Sequence, residues 1–276
     1  MWTDLERPPL DVAALRAALV APGGDWAALE VVASTGSTNA DLLAAARAGA
    51  ADRTVLIAEH QDAGRGRHAR AWSSPARAGV FLSVLLRTAG VPLAQLGWLP
   101  LLTGVAVADA VQRVAQVEVT LKWPNDVLID GRKLGGILAE VSTTKPDPVV
   151  VVGLGLNVSL RAEELPVPTA TSLVLASAAC TDRDPILRAV LRELAAREIA
   201  WRRVGGDPVR SGMATAYRAR CSTLGRDVIV TLPQNRTLHG RAVDIDETGR
   251  LVVRDEGGTQ HVVAAGDVTH VRAAER

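Results

Sequence analysis

Apolar residues follow two different periods along this chain, and the places where the period changes mark its elements. Over residues 11–20 they recur with helical spacing behind an acidic start, and Pro22, Gly23 and Gly24 close the run, which predicts one short leading helix. Residues 29–33 read as a strand feeding the polar turn Ser34-Thr35-Gly36-Ser37-Thr38-Asn39. A helix over 40–48 follows, with Ser37 or Thr38 as its natural N-cap and Gly49 as its stop. Residues 55–58 form a buried strand, the polar Gly- and Arg-rich stretch 61–74 must be a loop, and 80–86 form a strand again. A long helical stretch covers 93–114. Strand-type runs then return at 119–123, 127–129, 134–141 and 149–154, so strands from distant parts of the chain must share one mixed sheet.

Further along, Ile186, Leu187, Val190, Leu191, Leu194, Ile199 and Trp201 trace the apolar stripe of an amphipathic helix over 185–203, with arginines on its wet face. A second helix is expected to end near Arg220. From Asp227 the pattern changes to short alternating strands at 228–232, 238–245, 251–253 and 261–264, cut by Pro233, Gly240, Gly249, Gly257 and Gly258. Such a run of short strands predicts a small β-barrel. The expected class is therefore α/β (α+β): a mixed-sheet domain over residues 1–222 and a small β-barrel domain over 223–276.

Composition narrows what such a chain can be. Its 276 residues, 48% of them apolar, can bury one large core with a small appendage, which excludes a disordered chain. A net charge of +1, with arginines spread throughout, leaves no basic tail or face and argues against DNA as a partner. Cys180 and Cys221 lack any short metal-ligand spacing, and the N-terminus lacks the basic-then-apolar layout of a signal peptide, so a reducing cytoplasm is expected. Apolar stretches such as 149–156 are too short to span a bilayer and carry glycines, so no membrane partner is expected.

The chemistry shows first in scarcity. Of 31 basic side chains only three are lysines, and two of them, Lys122 and Lys133, bracket one segment that opens Lys122-Trp123-Pro124-Asn125-Asp126. Pro124 biases Trp123 toward an extended backbone, and Asn125 and Asp126 suit a tight turn, so a strand end presents polar groups in a fixed direction. Asp130-Gly131 reads as the tip of a structural hairpin, across which two compact ammoniums could face one phosphate site. Gly64-Arg65-Gly66-Arg67-His68-Ala69-Arg70 can converge bare N–H groups and guanidiniums on one anion, or it can be a solvated basic loop. It is no dinucleotide fingerprint, because the third glycine and the following helix are missing. His68 reads as a loop residue, and Trp72 as a ligand cover or a loop anchor. Three of the four asparagines, Asn39, Asn125 and Asn157, fall in short polar or Gly-rich motifs, and Gly153-Leu154-Gly155-Leu156-Asn157 allows a planar ligand to approach closely. The fourth, Asn235, and the third lysine, Lys145, read as ordinary turn and solvated loop.

Taken together, residues 34–39, Glu59-His60-Gln61, 64–67, 122–126, 131–138 and 153–157 strongly resemble the motifs of biotin protein ligases, in order and at family spacing over roughly residues 29–272. The resemblance implies a catalytic domain related to class II aminoacyl-tRNA synthetase cores, followed by an SH3-like barrel. It implies activation of biotin with ATP and Mg2+ to biotinyl-5′-AMP, and transfer of biotin to one lysine of a carboxyl carrier domain. By the same resemblance Ser37, Thr38, Asn39 and Gln61 would bind biotin's ureido end, with Gly64, Arg65 and Gly66 closing over it. Arg67 and Lys133 would hold the carboxylate and α-phosphate. Arg70 and Lys122 would favour the triphosphate and departing pyrophosphate, Trp72 and Trp123 would shield the nucleotide, and Asn125 and Asn157 would read adenine. Asp126 would receive the acceptor lysine, as a base or by orienting it. Lys133, Arg67, Lys122 and Asp126 are thus the expected catalytic residues, with no protein metal site.

Two departures from the family pattern bear on function. Ala69 stands where the family often has glycine, so that position resists positive φ and the loop is expected to be stiffer. About thirty residues precede the first catalytic strand, fewer than a three-helix DNA-binding domain needs, so a ligase that is not a repressor is expected. Two rivals stay open: a lipoate ligase or octanoyltransferase, and a non-catalytic biotin-binding module.

Overall fold

The computed structural model describes residues 7–142, 148–232, 236–264 and 267–270, so Lys145 and Asn235 lie outside the described residues. The larger of its two sheets is built from β1 (Ala28–Val32), β2 (Thr54–Ala58), β3 (Gly79–Arg87), β4 (Thr120–Lys122), β5 (Asp126–Ile129), β6 (Arg132–Ser142) and β7 (Val149–Asn157). Their order is β1-β2-β3-β7-β6-β5-β4. β1 and β2 run parallel and the remaining neighbours antiparallel, so the sheet is mixed, as the scattered strand signals require.

Among the described residues five α-helices accompany it: α1 (Val12–Leu19), α2 (Thr38–Arg47), α3 (Trp98–Ala115), α4 (Arg183–Arg203) and α5 (Met213–Arg220). The caps follow the sequence: Asp11 accepts from Ala14 N at 2.9 Å, and Ser37 caps α2. The stretch expected as one helix over 93–114 is a 3-10 segment, Leu93–Gly97, leading into α3. Pro100 fits the first turn of α3, where its missing N–H has no intrahelical partner to lose. By length and composition Leu93–Ala115 is apolar enough to cross a membrane. It is instead mostly buried as the core helix, packed between the sheet and α4.

β7 shows how the core positions the site. Val150, Val152, Leu154 and Leu156 join the main core with Leu102, Val105 and Val111 of α3. On the opposite face Val149 and Val151 pack with Leu42 and Ala46 of α2 and with Leu56 and Leu85. Continuing along that second face by steps of two, the chain reads Gly153, Gly155 and Asn157. Side chains shrink at the N-terminal end of α2, and the sheet surface opens.

The smaller sheet contains β8 (Asp227–Thr231), β9 (Thr237–Ile245), β10 (Leu251–Arg254), β11 (Gln260–Val263) and β12 (Asp267–His270), ordered β11-β10-β9-β8-β12. The last strand escaped the pattern reading because Asp267 to His270 contains one aliphatic residue, Val268. Among the described residues β11 and β12 share no ladder, so the expected small barrel is an open antiparallel sheet. Its β9–β10 turn is seated on the larger unit by two tryptophans: Trp98 donates its indole N–H to Glu247 O at 2.9 Å, and Trp123 to Gly249 O at 3.0 Å.

Candidate active site

A cavity of about 480 Å³ lies on the opened face of the large sheet. Sheet register explains its floor. Phe81 of β3, Gly155 of β7, Gly136 of β6, Asp126 of β5 and Lys122 of β4 stand opposite one another in sequence across five strands. Two of these positions are glycines, and Gly155 leaves no room for a side chain. A Cβ on Gly155 would stand 2.6 Å from the Trp72 ring and one on Gly136 would stand 3.3 Å from it, so the indole lies against bare backbone. Among the described residues Trp72 Nε1 is buried with no hydrogen-bond partner.

Lys133 reaches this floor by a break in strand regularity. Val127 pairs with Gly135 but Leu128 with Lys133, a bulge that leaves one extra residue in β6. With strict alternation, Lys133 and Gly136 would point to opposite faces, being three residues apart. The bulge puts both on the cavity face, while Leu134 and Ile137 both enter the core. Lys133 Nζ pairs with Asp126 Oδ1 at 2.5 Å and lies 5.9 Å from the centre of the Trp72 ring. Its backbone is tied to the 169–171 segment, donating to Thr169 O and accepting from Thr171 N, both at 2.8 Å. That segment and its neighbours bring Pro166, Val167 and Ala170 into the wall.

The other end of the cavity grows from the parallel pair. Beyond β1 and β2 the pairing continues as a bridge between Thr35 and Gln61, and Asp62 N donates to Thr35 O at 2.9 Å. Parallel strands deliver their C-terminal ends to the same place, so the turn before α2 meets Gln61. Gln61 Oε1 accepts from Thr38 N at 2.9 Å and from Thr38 Oγ1 at 3.1 Å, which leaves Nε2 as the donor. Asn39 is 4% exposed and gives its amide N–H groups to Leu138 O at 3.1 Å and Glu140 Oε2 at 2.8 Å.

Residues 64–72, expected as a loop, close into a small hairpin. Trp72 N donates to Gly64 O at 2.8 Å, Gly66 N donates to Arg70 O at 2.7 Å, and the 3-10 turn Arg67–Ala69 forms its tip. His68 at that tip is left-handed (φ 55°). Gly64 stands behind the wall, where a Cβ would meet Trp72 O at 2.5 Å.

The structure brings together in this one cavity Ser37, Thr38, Asn39, Gln61, Arg65, Gly66, Arg67, Arg70, Trp72, Lys122, Trp123, Asn125, Asp126, Lys133 and Asn157. Two asparagines already serve the fold: Asn125 Nδ2 donates to Ile137 O and Asn157 Nδ2 to Thr171 O, each at 3.0 Å. Trp123 borders the cavity, but its ring is only 2% exposed and its N–H is used on Gly249. It joins the two sheets. Among the lining residues five cations face one carboxylate, which makes the cavity a place for anions. Sequence reasoning missed Val268 and Thr269, which line it from β12, and Ser83, the one hydroxyl in the apolar run of β3.

His270, beside them, accepts from or donates to Thr223 Oγ1 at 3.1 Å. Burial first, and then the charges of Lys122 and Arg226, pull its imidazole down to about 4. Because the folded value lies below the ordinary 6.5, the unfolded chain takes up a proton that the folded chain refuses as pH falls from 6.5 toward 4. Stability contributed by neutral His270 is full above that window and is lost through it. His270→Gln should flatten part of the fall in melting temperature between pH 7 and 4.5. Parallel curves for variant and wild type would remove His270 from the acid response.

Two family models match the chain: the biotin/lipoate A/B protein ligase family over residues 31–157, and the biotin protein ligase C-terminal domain over residues 223–271. The chain is 51% identical to the biotin–[acetyl-CoA-carboxylase] ligase of Mycobacterium tuberculosis, with 98% of each covered. It is 33% identical to the bifunctional ligase/repressor of Bacillus spizizenii, over 86% of this chain and 71% of that protein. In structure it is similar to the Aquifex aeolicus biotin protein ligase in complex with biotin and ATP, with a TM-score of 0.71 and 27% identity, over 90% of this chain and 100% of that one. Fold and site thus define a class, the enzymes that join small carboxylic acids to proteins. Within that class the chain belongs to the biotin protein ligase family.

Proposed function

We infer that this chain joins biotin to ATP, releasing pyrophosphate, and passes the biotinyl group from biotinyl-5′-AMP to a lysine of a biotin carboxyl carrier domain. One observation carries the reading: a hydroxyl-and-amide end and a cationic end meet over a glycine floor in a single cavity. Biotin's ureido ring needs both donors and acceptors, and Ser37, Thr38 and Gln61 offer them. Its carboxylate and ATP repel each other, so Lys133 and Arg67 are assigned to the carboxylate and α-phosphate, with Lys122 and Arg70 toward the leaving pyrophosphate. Asn125 and Asn157 are assigned to adenine.

A carboxylate oxygen attacks the α-phosphorus as the bond to pyrophosphate breaks. The lysine amine then attacks the carbonyl carbon of the mixed anhydride, loses its proton, and AMP leaves. Trp72 and the 64–72 hairpin are assigned to excluding water from that anhydride. Trp72 Nε1, buried without an acceptor, is a ready donor to a ligand oxygen. Asp126 is held by Lys133, so receiving the acceptor lysine requires that pair to exchange partners.

Mg2+ is read as part of the substrate Mg-ATP. Such an ion is bound mainly through substrate phosphates and water. Residues 1–222 would form the biotin- and ATP-binding domain and 223–276 the C-terminal one. The free thiols of Cys180 and Cys221 support a reducing, cytoplasmic setting.

Incubation with biotin, Mg-ATP and a carrier domain should add the mass of one biotinyl group to the carrier. Pyrophosphate exchange that depends on lipoate and ignores biotin would overturn the assignment of the acid. Biotin binding without any exchange would favour a binding module.

A further inference from the structure

Side chains that the sequence did not single out link the two halves of this site. Ser83 of β3, Gly153 of β7 and Leu138 of β6 stand opposite one another across the sheet, and the Asn39 amide lies over this row. A Cβ on Gly153 would come within 2.3 Å of Asn39 Oδ1, so glycine lets the amide rest on the sheet. Two acceptors, Leu138 O and Glu140 Oε2, fix the amide nitrogen on the β6 side. The oxygen is then turned to Ser83, whose Oγ lies 2.6 Å from it and 2.7 Å from Thr38 Oγ1. Ser83 is fully buried. On its far side Glu140 Oε2 pairs with Arg65 of the 64–72 hairpin at 3.4 Å.

A continuous polar chain therefore runs from Gln61 through Thr38, Ser83, Asn39 and Glu140 to Arg65. We propose that Glu140, with Ser83, is a positioning residue: it fixes the donor and acceptor directions of the end that receives the acid's neutral head, and through Arg65 it holds the hairpin over that end. Asn39 then acts mainly as a bolt, since both its amide N–H groups are used within the protein. This rests on the ligase reading, with biotin as the acid.

Trypsin offers a direct readout, because the hairpin carries cleavable arginines at 65, 67 and 70. In the full-length wild type, saturating biotin is expected to protect those bonds. Glu140→Gln keeps an acceptor for Asn39 but loses the charge that holds Arg65, so most protection should disappear at equal biotin occupancy while the KM for biotin rises about threefold. Glu140→Ala removes both contacts and should raise that KM by about tenfold, with kcat within about threefold of wild type. Ser83→Ala should resemble Glu140→Ala in KM and wild type in protection. Variants that match wild type in both KM and protection would overturn this inference alone. So would equal falls in kcat and biotin affinity accompanied by a lowered melting temperature, which describe a residue serving only the fold. A wild-type hairpin that biotin does not protect would sink the inference, and failure of biotin to bind at all would sink the ligase reading with it.

Discussion

Lys133→Ala should slow biotin-dependent pyrophosphate exchange by about 10²–10³-fold, the loss typical of removing one preorganised charge from a developing oxyanion. Binding of biotin alone should weaken less than tenfold. The difference follows from where Lys133 stands. Its Nζ is held at 2.5 Å by Asp126 on the floor of the cavity, 5.9 Å from the Trp72 ring, and away from the Thr38–Gln61 end. The bulge in β6 gives it that direction, so no neighbouring side chain can replace it without a register change. Removing it also exposes Asp126 as an unpaired negative charge beside the incoming phosphates. Part of the loss should therefore be repulsion. Asp126→Asn added to Lys133→Ala should recover about tenfold, a coupling that a double-mutant cycle reads directly. Equal losses of biotin affinity and turnover would instead assign Lys133 to holding the acid.

The lysines show how much of this site was legible. Lys122 and Lys133 stood out by scarcity and by their shared segment, and both line the cavity. Their relation was not legible, because it depends on a bulge. The sequence hint was that Leu134 and Ile137, three apart in a strand, both enter the core, which strict alternation forbids. β7 was readable as a buried strand because both of its faces are apolar, and its glycines marked the open floor. The ends of most elements followed from their capping and punctuating residues. What escaped was anything set by contacts between distant segments: β12, the 166–170 wall, and the polar links through Ser83 and Glu140. A serine in an apolar strand and a glutamate at a strand's wet end carry no local pattern, and only the sheet register brings them to Asn39.

Trp123 is where motif and geometry diverge, and it supports the second large effect. Its ring is buried in the core, its backbone N–H donates to Thr223 Oγ1 at 3.1 Å, and its indole N–H donates to Gly249 O at 3.0 Å. One residue therefore ties the Lys122–Asp126 turn to the start of the smaller sheet and to its β9–β10 turn. Trp123→Ala should cost about 3–5 kcal/mol through lost burial and the cavity left behind. Trp123→Phe keeps most of the ring and strands the Gly249 carbonyl, costing about 1–3 kcal/mol. Thermal denaturation should order the variants in that way. The joint also sets where β12 holds Val268 and Thr269 against the cavity, so a loosened joint should raise the KM for ATP several-fold even in Trp123→Phe. Trp98→Phe provides the control, since Trp98 donates to Glu247 O in the same turn but does not line the cavity. It should reproduce the loss of stability and part of the KM effect. If Trp123→Phe weakened ATP binding with an unchanged melting temperature, and Trp98→Phe left ATP binding intact, the indole of Trp123 would contact the nucleotide itself and the joint would belong to Trp98 alone.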